Sequence, residues 1–338
     1  MHAPDGLLDA STAIATGVLS ASAVGIALRK SRTELDDKQV PLAGISAAFI
    51  FAAQMVNCPV AAGTTGHLMG GALAAVLLGP SMGLLVVTVV VMVQALVFAD
   101  GGLTALGYNV LNMAVITALG GWATFRIALR LLPRRASAVA IAAGIAGFVS
   151  VALSAMAFSL QWLFGATVAV PFDRVFAAMV GVHSVIGIGE GVITGFTVVA
   201  VLATRPDLVA GAADLPTRQG YDRRRVRPMV VAGVAASLLV AVGVAQFAVD
   251  APDGLERVAQ DQGMQAAVRD HAFESGLFAD YATQGVANDN MSLALAGAAG
   301  TLLTLLVGSG LFLAVRDRRR GAEAAPTRSG AVGAGSRK

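Results

Sequence analysis

Cysteine occurs once in the 338 residues, as Cys58, which excludes an intramolecular disulfide and any metal cage built from several thiolates. Charge is scarce. Asp, Glu, Lys and Arg make up 13% of the chain, about half of what a soluble domain carries. Aromatic residues reach only 6% and do not interleave with basic ones, which excludes nucleic acid as a partner. No Gly-rich loop ends in Gly-Lys-Ser/Thr, so the chain lacks the phosphate cradle of an ATPase and cannot power a process itself. The His-Glu-x-x-His pair of an intramembrane metalloprotease is missing too. Neither an enzyme nor a resident catalytic cofactor is expected.

What the chain has instead is apolar length. Hydrophobic residues make up 56% and the mean hydropathy is +0.73, which places the chain in a lipid bilayer. Charge-poor runs at 10–28, 40–56, 67–79, 81–99, 103–125, 136–164, 175–204, 229–249 and 291–315 predict an all-α, polytopic protein with nine crossings. The third run is short. Thirteen helical residues cover roughly 20 Å of a hydrocarbon core about 30 Å thick.

Basic residues orient the chain, because Lys and Arg concentrate in cytoplasmic loops. With the N-terminus outside and the C-terminus cytoplasmic, only Arg174, Arg257 and Arg269 of the 24 basic residues fall on the outer side. Treating 67–79 as a re-entrant loop would invert every later segment and put Arg126, Arg130, Arg134 and Arg135 outside, so it is read as a true crossing. The first run has the flanks of an anchor. Asp5 and Asp9 precede it and Arg29-Lys30 follow, the reverse of a secretory signal, so it is expected to stay and leave Met1 facing the exterior of a bacterial-type plasma membrane.

Two blocks follow from the composition. Residues 1–205 hold seven runs, and 206–226 is a basic, Pro- and Gly-broken cytoplasmic linker. Residues 227–316 hold two runs around an outer loop at 250–290, and 317–338 read as a disordered cytoplasmic tail. A short echo joins the blocks: Ala3-Pro4-Asp5-Gly6-Leu7 recurs as Ala251-Pro252-Asp253-Gly254-Leu255. Both copies are expected on the outer face, and their likeness suggests contact.

Chemistry concentrates on four histidines, at positions 2, 67, 183 and 271. A histidine at position two can chelate with the terminus: the Met1 amine, the amide nitrogen between residues 1 and 2, and the His2 imidazole close two fused rings around one cation. Three nitrogens in a plane suit Ni(II), Cu(II) or low-spin cobalt. Asn57-Cys58-Pro59-Val60-Ala61-Ala62-Gly63-Thr64-Thr65-Gly66-His67 lies on the same side and brings a fourth nitrogen, from His67. His183 and Glu190 are seven residues apart, on one face of the seventh run, where they either fix packing or form a proton relay. His271 is expected to be a solvated loop residue. Asn57, Thr64, Thr65, His183 and Glu190 are candidates to support the ligands, and Asn109 and Asn112 either join them or bond between helices.

Three segments carry a family resemblance. Met1-His2-Ala3-Pro4-Asp5-Gly6, the loop ending Gly63-Thr64-Thr65-Gly66-His67, and Gly187-Ile188-Gly189-Glu190-Gly191-Val192-Ile193-Thr194 resemble the CbiM/NikM family over residues 1 to about 205. Pro252-Asp253-Gly254-Leu255-Glu256 between two runs resembles the companion CbiN/NikN. The resemblance implies a fused substrate-capture subunit of an energy-coupling-factor importer, with Ni(II) or Co(II) as the transported ion. It further implies a transmembrane coupling subunit and cytoplasmic ATPases as partners, with Met1, His2 and His67 as metal ligands. Cys58 and Ala61-Ala62 depart from the family's usual loop residues. The competing expectation is a secondary, proton-coupled metal transporter using His183 and Glu190.

Overall fold

A computed structural model describes residues 1–34, 39–61, 63–133, 135–213 and 226–324. Seven helices among the described residues are long and apolar enough to cross a membrane, and we label them within one series. These are α1 (Ala10–Glu34), α4 (Pro80–Val97), α5 (Leu106–Leu131), α6 (Ala136–Gly165), α7 (Phe172–Thr204), α8 (Arg227–Phe247) and α10 (Asp289–Ala324). Between them lie α2 (Gln39–Gln54), α3 (Gly71–Leu78) and α9 (Gly254–Asp261). Two of the nine expected crossings are therefore short elements, α2 with 16 residues and α3 with 8.

Neighbours explain both. α2 is buried along most of its length, between α4, α8 and α10, so it has no need of a single apolar stripe. Every residue of α3 is buried. The run from His67 to Gly70 is not helical and leads into α3, which turns at Gly79-Pro80 directly into α4. Pro80 opens α4, where a missing N–H costs nothing. Non-helical backbone at this depth is tolerated because it is buried in protein.

The structure corrects the all-α expectation at one place. Cys58–Ala61 and Thr64–Gly66 pair as a two-stranded antiparallel hairpin, β1-β2, so the loop that carries His67 is a β-hairpin with an irregular register between Pro59 and Ala61. Inside α5, Leu111–Ile116 adopts a π-helical turn, a feature frequent at functional sites.

α6 and α7 pack most closely, with Gly144 and Gly147 of one against Gly191 of the other. Block two is not a separate body. α10 runs along α2, where Ser309 lies against Gly44, and Phe51 and Phe98 pack at Gly300. The start of the linker packs on the helices, since Leu208, Val209 and Ala212 are buried and Gly211 lies against Phe125 and Val76. Residues 214–225, and with them most of that linker, lie outside the described residues. α10 stays helical through Ala324, into the segment read as a disordered tail, and 325–338 lie outside the described residues. Ile14, Val18, Leu19, Ile26, Phe196 and Leu306 point outward from the helices, as lipid contact requires.

Candidate metal centre

The first nine residues are drawn into the core instead of fraying. Met1, Ala3, Asp5, Leu7 and Leu8 are buried. Asn109 on α5 clamps Ala3 from both sides, its Oδ1 accepting from the Ala3 N–H at 2.9 Å and its Nδ2 donating to the Ala3 carbonyl at 3.0 Å. The Gly102 N–H donates to the same carbonyl at 2.9 Å. Asp5 anchors the next turn by accepting from the N–H groups of Leu103, Thr104 and Ala105 and from the Thr104 hydroxyl. These are backbone donors ahead of α5, where a carboxylate is favoured. Beyond them the Asp9 N–H donates to the Gly165 carbonyl at 2.7 Å.

This threading delivers Met1 to His67. The terminal nitrogen lies 2.9 Å from His67 Nε2. His67 Nδ1 lies 3.0 Å from the Leu68 carbonyl, which can only accept, so Nδ1 carries the ring proton and Nε2 presents a lone pair to Met1. The His2 and His67 rings stack with centroids 5.3 Å apart. His2 Nε2 lies 3.0 Å from Gln94 Oε1, and its Nδ1 lies 3.2 Å from Asp100 Oδ1. Burial lowers the His2 imidazole to about 4, despite the opposing pull of Asp100, so the ring is neutral near pH 7.

Backbone behind His67 is held from α7. Glu190 accepts the Met69 N–H at 2.6 Å and the Gly70 N–H at 2.9 Å. Gly70 adopts φ 79°, and a Cβ there would meet Ile50 at 2.8 Å, so the turn out of the extended segment needs glycine. His183 donates through Nδ1 to the Met179 carbonyl at 2.8 Å, and its Nε2 is buried without a partner among the described residues. His183 and Glu190 do share a face, yet each bonds elsewhere.

The second block completes the wall. Asp253, from the repeated Pro-Asp-Gly turn, lies 2.5 Å from the Met1 nitrogen and 3.7 Å from His67 Nε2. Burial opposes ionisation of Asp253, but the Met1 ammonium and the Glu256 N–H favour it, and the carboxyl is held well below the usual range. The Thr65 N–H donates to the Pro252 carbonyl at 3.0 Å and the Thr65 hydroxyl to the Ala251 carbonyl at 2.8 Å. Gly254 sits against His183, where a Cβ would come within 3.0 Å of Nε2. A cavity of about 430 Å³ opens beside these groups, lined by His2, His67, Asn57, Asp100, Asp253 and Glu256 among others.

The expected residues divide accordingly. Met1, His2 and His67 come together, and Asn57 lines the cavity with its Oδ1 unpartnered among the described residues. Thr65 serves the contact between blocks, and Thr64 is buried beside it. Cys58 is exposed and lines an apolar cleft on the other side of the hairpin. His271 folds onto its own loop, accepting the Phe273 N–H at 2.9 Å. Sequence reading missed Gln94, Asp100 and Tyr281; Asn109, expected to orient the loop or a ligand imidazole, clamps Ala3 instead. A lone amide at position 94 in an otherwise apolar run was the one signal on offer. Asp253 was flagged only by its repeat.

Seven helices long and apolar enough to cross a membrane thus surround a buried N-terminus that lies beside two histidines. Residues 2–208 match the family described as CbiM, cobalt uptake substrate-specific transmembrane region, and residues 227–317 match the PDGLE domain. The chain therefore belongs to the CbiM family, with a PDGLE domain fused behind the capture region. The NikMN fusion of Archaeoglobus fulgidus, whose name assigns it to nickel transport, is 35% identical over 92% of this chain and 98% of its own length. The cobalt transport protein CbiM of Geobacter sulfurreducens is 33% identical over 71% of each chain. A crystal structure of a truncated transition metal transporter shares 33% identity with a TM-score of 0.54, covering 60% of this chain and 99% of that one. The protein is thus a multi-pass membrane component of cobalt or nickel transport, and its relatives are named as transporters, not enzymes.

Proposed function

We propose that this chain captures Ni(II) or Co(II) for an ATP-driven energy-coupling-factor importer, through Met1, His2 and His67. The observation that carries the reading is the 2.9 Å approach of the Met1 nitrogen to His67 Nε2, both residues being buried. Among the described residues no group of three or more His, Cys, Asp or Glu could hold an ion. Binding then draws on main-chain nitrogen: the amine and the His2 amide close a five-membered ring, and the His2 amide and Nδ1 close a six-membered one. Nδ1 is the nitrogen within reach of that ring, and His67 Nε2 supplies the fourth corner. A planar nitrogen set suits Ni(II), and Co(II) accepts the same donors.

Loop charges support an outward-facing terminus and a cytoplasmic C-terminus, so the ion enters from outside and the ATPases act from within through a transmembrane coupling subunit. A secondary transporter working through His183 and Glu190 is disfavoured, since the Glu190 carboxylate is committed to two backbone donors. The test is Ni(II) and Co(II) loading of the purified full chain beside a variant with one glycine inserted between Met1 and His2, with the free amine verified by mass spectrometry. Wild-type protein loads one ion and the insertion variant loses it. Equal loading of the two overturns the chelate, and uptake that survives deletion of the partner ATPases overturns the importer.

A further inference from the structure

Among the described residues only three non-glycine positions have positive φ: Ala99 at 55°, Asp280 at 51° and Tyr281 at 57°. Such backbone is sparsely populated by L-residues and persists where surrounding structure enforces it, commonly at functional sites. Ala99 precedes Asp100, and Asp280 precedes Tyr281. Asp100 comes from the capture block and Tyr281 from the outer loop of the second block, and the Tyr281 hydroxyl donates to Asp100 Oδ2 at 2.6 Å. All three left-handed residues therefore serve one contact.

That contact belongs to a chain of hydrogen bonds that begins at His2 and ends at a carboxylate beside the same ring. His2 Nε2 meets Gln94 Oε1 at 3.0 Å, Gln94 Nε2 donates to the Tyr281 hydroxyl at 3.1 Å, and the hydroxyl donates to Asp100. Asp100 Oδ1 returns to His2 Nδ1 at 3.2 Å. Direction is fixed from the carboxylate backward. Asp100 only accepts, so the phenol proton points at it; the phenol oxygen then accepts the Gln94 amide, which turns Gln94 Oε1 toward His2 and demands a proton on Nε2. Tyr281 is itself immobilised, its ring stacked on Phe98 at 5.0 Å and close to Phe51 at 6.1 Å, while the Asp280 N–H donates to the Phe98 carbonyl at 2.9 Å. Burial and the neighbouring Asp100 push the phenol well above its ordinary value, so it remains a donor.

We propose that Tyr281 is a positioning residue for metal capture: through Gln94 and Asp100 it places the proton of His2 on Nε2 and turns the bare Nδ1 toward the ion. The inference rests on the chelate reading above and adds that the second block contributes to the site a side chain that sets which nitrogen is offered. An Nδ1 lone pair held 3.2 Å from Asp100 Oδ1 sets acceptor against acceptor, an arrangement that a cation beside them relieves. Partners of this kind, which orient a ligand imidazole, typically change metal affinity when removed.

The experiment is Ni(II) titration of the full chain in detergent, by calorimetry and by the visible ligand-field band, for wild type, Tyr281→Phe, Asp100→Asn, Gln94→Leu and the double variant Tyr281→Phe/Gln94→Leu. Tyr281→Phe keeps the aromatic stack and removes only the hydroxyl; Asp100→Asn probes the same relay from the capture block. Each single variant is expected to weaken Ni(II) by roughly 10- to 100-fold and to shift the band. The double is expected to be no weaker than Gln94→Leu alone, because the residues act in series. Unchanged affinity and band in Tyr281→Phe, or additive losses in the double, overturns the relay even if the variant melts earlier than wild type. His2→Ala separates the two readings. Wild-type affinity in His2→Ala removes the chelate itself, whereas loss there with a neutral Tyr281→Phe removes only the relay.

Discussion

The carboxylate of Asp253 lies 2.5 Å from the terminal nitrogen of Met1, although 252 positions separate the two residues. One salt bridge thus joins the second block to the terminal nitrogen proposed as a ligand. Its surroundings are buried, so it is weakly screened and more consequential than a surface pair. Asp253→Asn is expected to weaken the seating of the 250–290 loop and reduce Ni(II) affinity about tenfold, a loss of about 1.4 kcal/mol. Limited proteolysis of the loop alongside calorimetry checks both effects; an intact loop with unchanged affinity would make the pair incidental.

Gly254 offers a steric test of the same contact. A Cβ there would meet Ile186 at 2.7 Å and the His183 ring at 2.9 Å, so Gly254→Ala must push the Pro-Asp-Gly turn away from the capture block. The expected result is faster proteolysis of the loop with both blocks still in the membrane. Unaltered protection would show that the turn has slack.

The Glu190 carboxylate carries two backbone bonds that set the segment behind His67. Glu190→Gln keeps the shape but offers one acceptor oxygen for two donors, at a cost of about 2–3 kcal/mol. A lower melting temperature together with weaker metal binding is expected, since His67 loses its support. Normal stability combined with uptake that no longer depends on pH would instead revive the proton-relay reading.

The pH dependence has a defined sign. The His2 imidazole is lowered to about 4 where it is seated, against an ordinary value near 6.5 once unseated. Seating is therefore fully favoured above about pH 6.5 and loses stability as the pH falls toward 4, by up to about 3 kcal/mol. Asp253, held well below its ordinary range, stays ionised through that window and does not contribute to the loss. Histidine NMR of the metal-free chain is the check; a His2 that titrates near 6.5 would mean the terminus is not buried in solution.

Much of the architecture was legible in the order of residues. Long apolar runs become helices in lipid because backbone groups there have no other partner, and α1, α4, α6 and α7 lie within a few residues of their expected limits. The β1-β2 hairpin was not legible. Its seven residues carry Pro59 and Gly66 and no alternation, and it is held partly by bonds from Thr65 to Ala251 and Pro252, far along the chain. The shortness of α3 was visible as a break at Gly79-Pro80, whereas the non-helical stretch before it depends on Glu190, 120 residues away.

The site divides along the same line. Met1, His2 and His67 could be proposed from sequence because chelation by a terminus is local chemistry: three of the four proposed nitrogens lie within two residues. Gln94, Asp100 and Tyr281 could not, since each acts across a gap of tens to hundreds of residues, and an isolated polar side chain carries no mark of its partner; Asn109 and Asp253 stood out in the sequence, but their partners Ala3 and Met1 did not. The sequence by itself determined a multi-pass membrane protein and singled out its terminus as a candidate chelator. Only the tertiary structure decided that the terminus is buried, that His67 meets it at 2.9 Å, and that the second block closes the pocket. Burial in a low-dielectric interior makes an unpartnered polar group costly, and the partners found were chosen by packing.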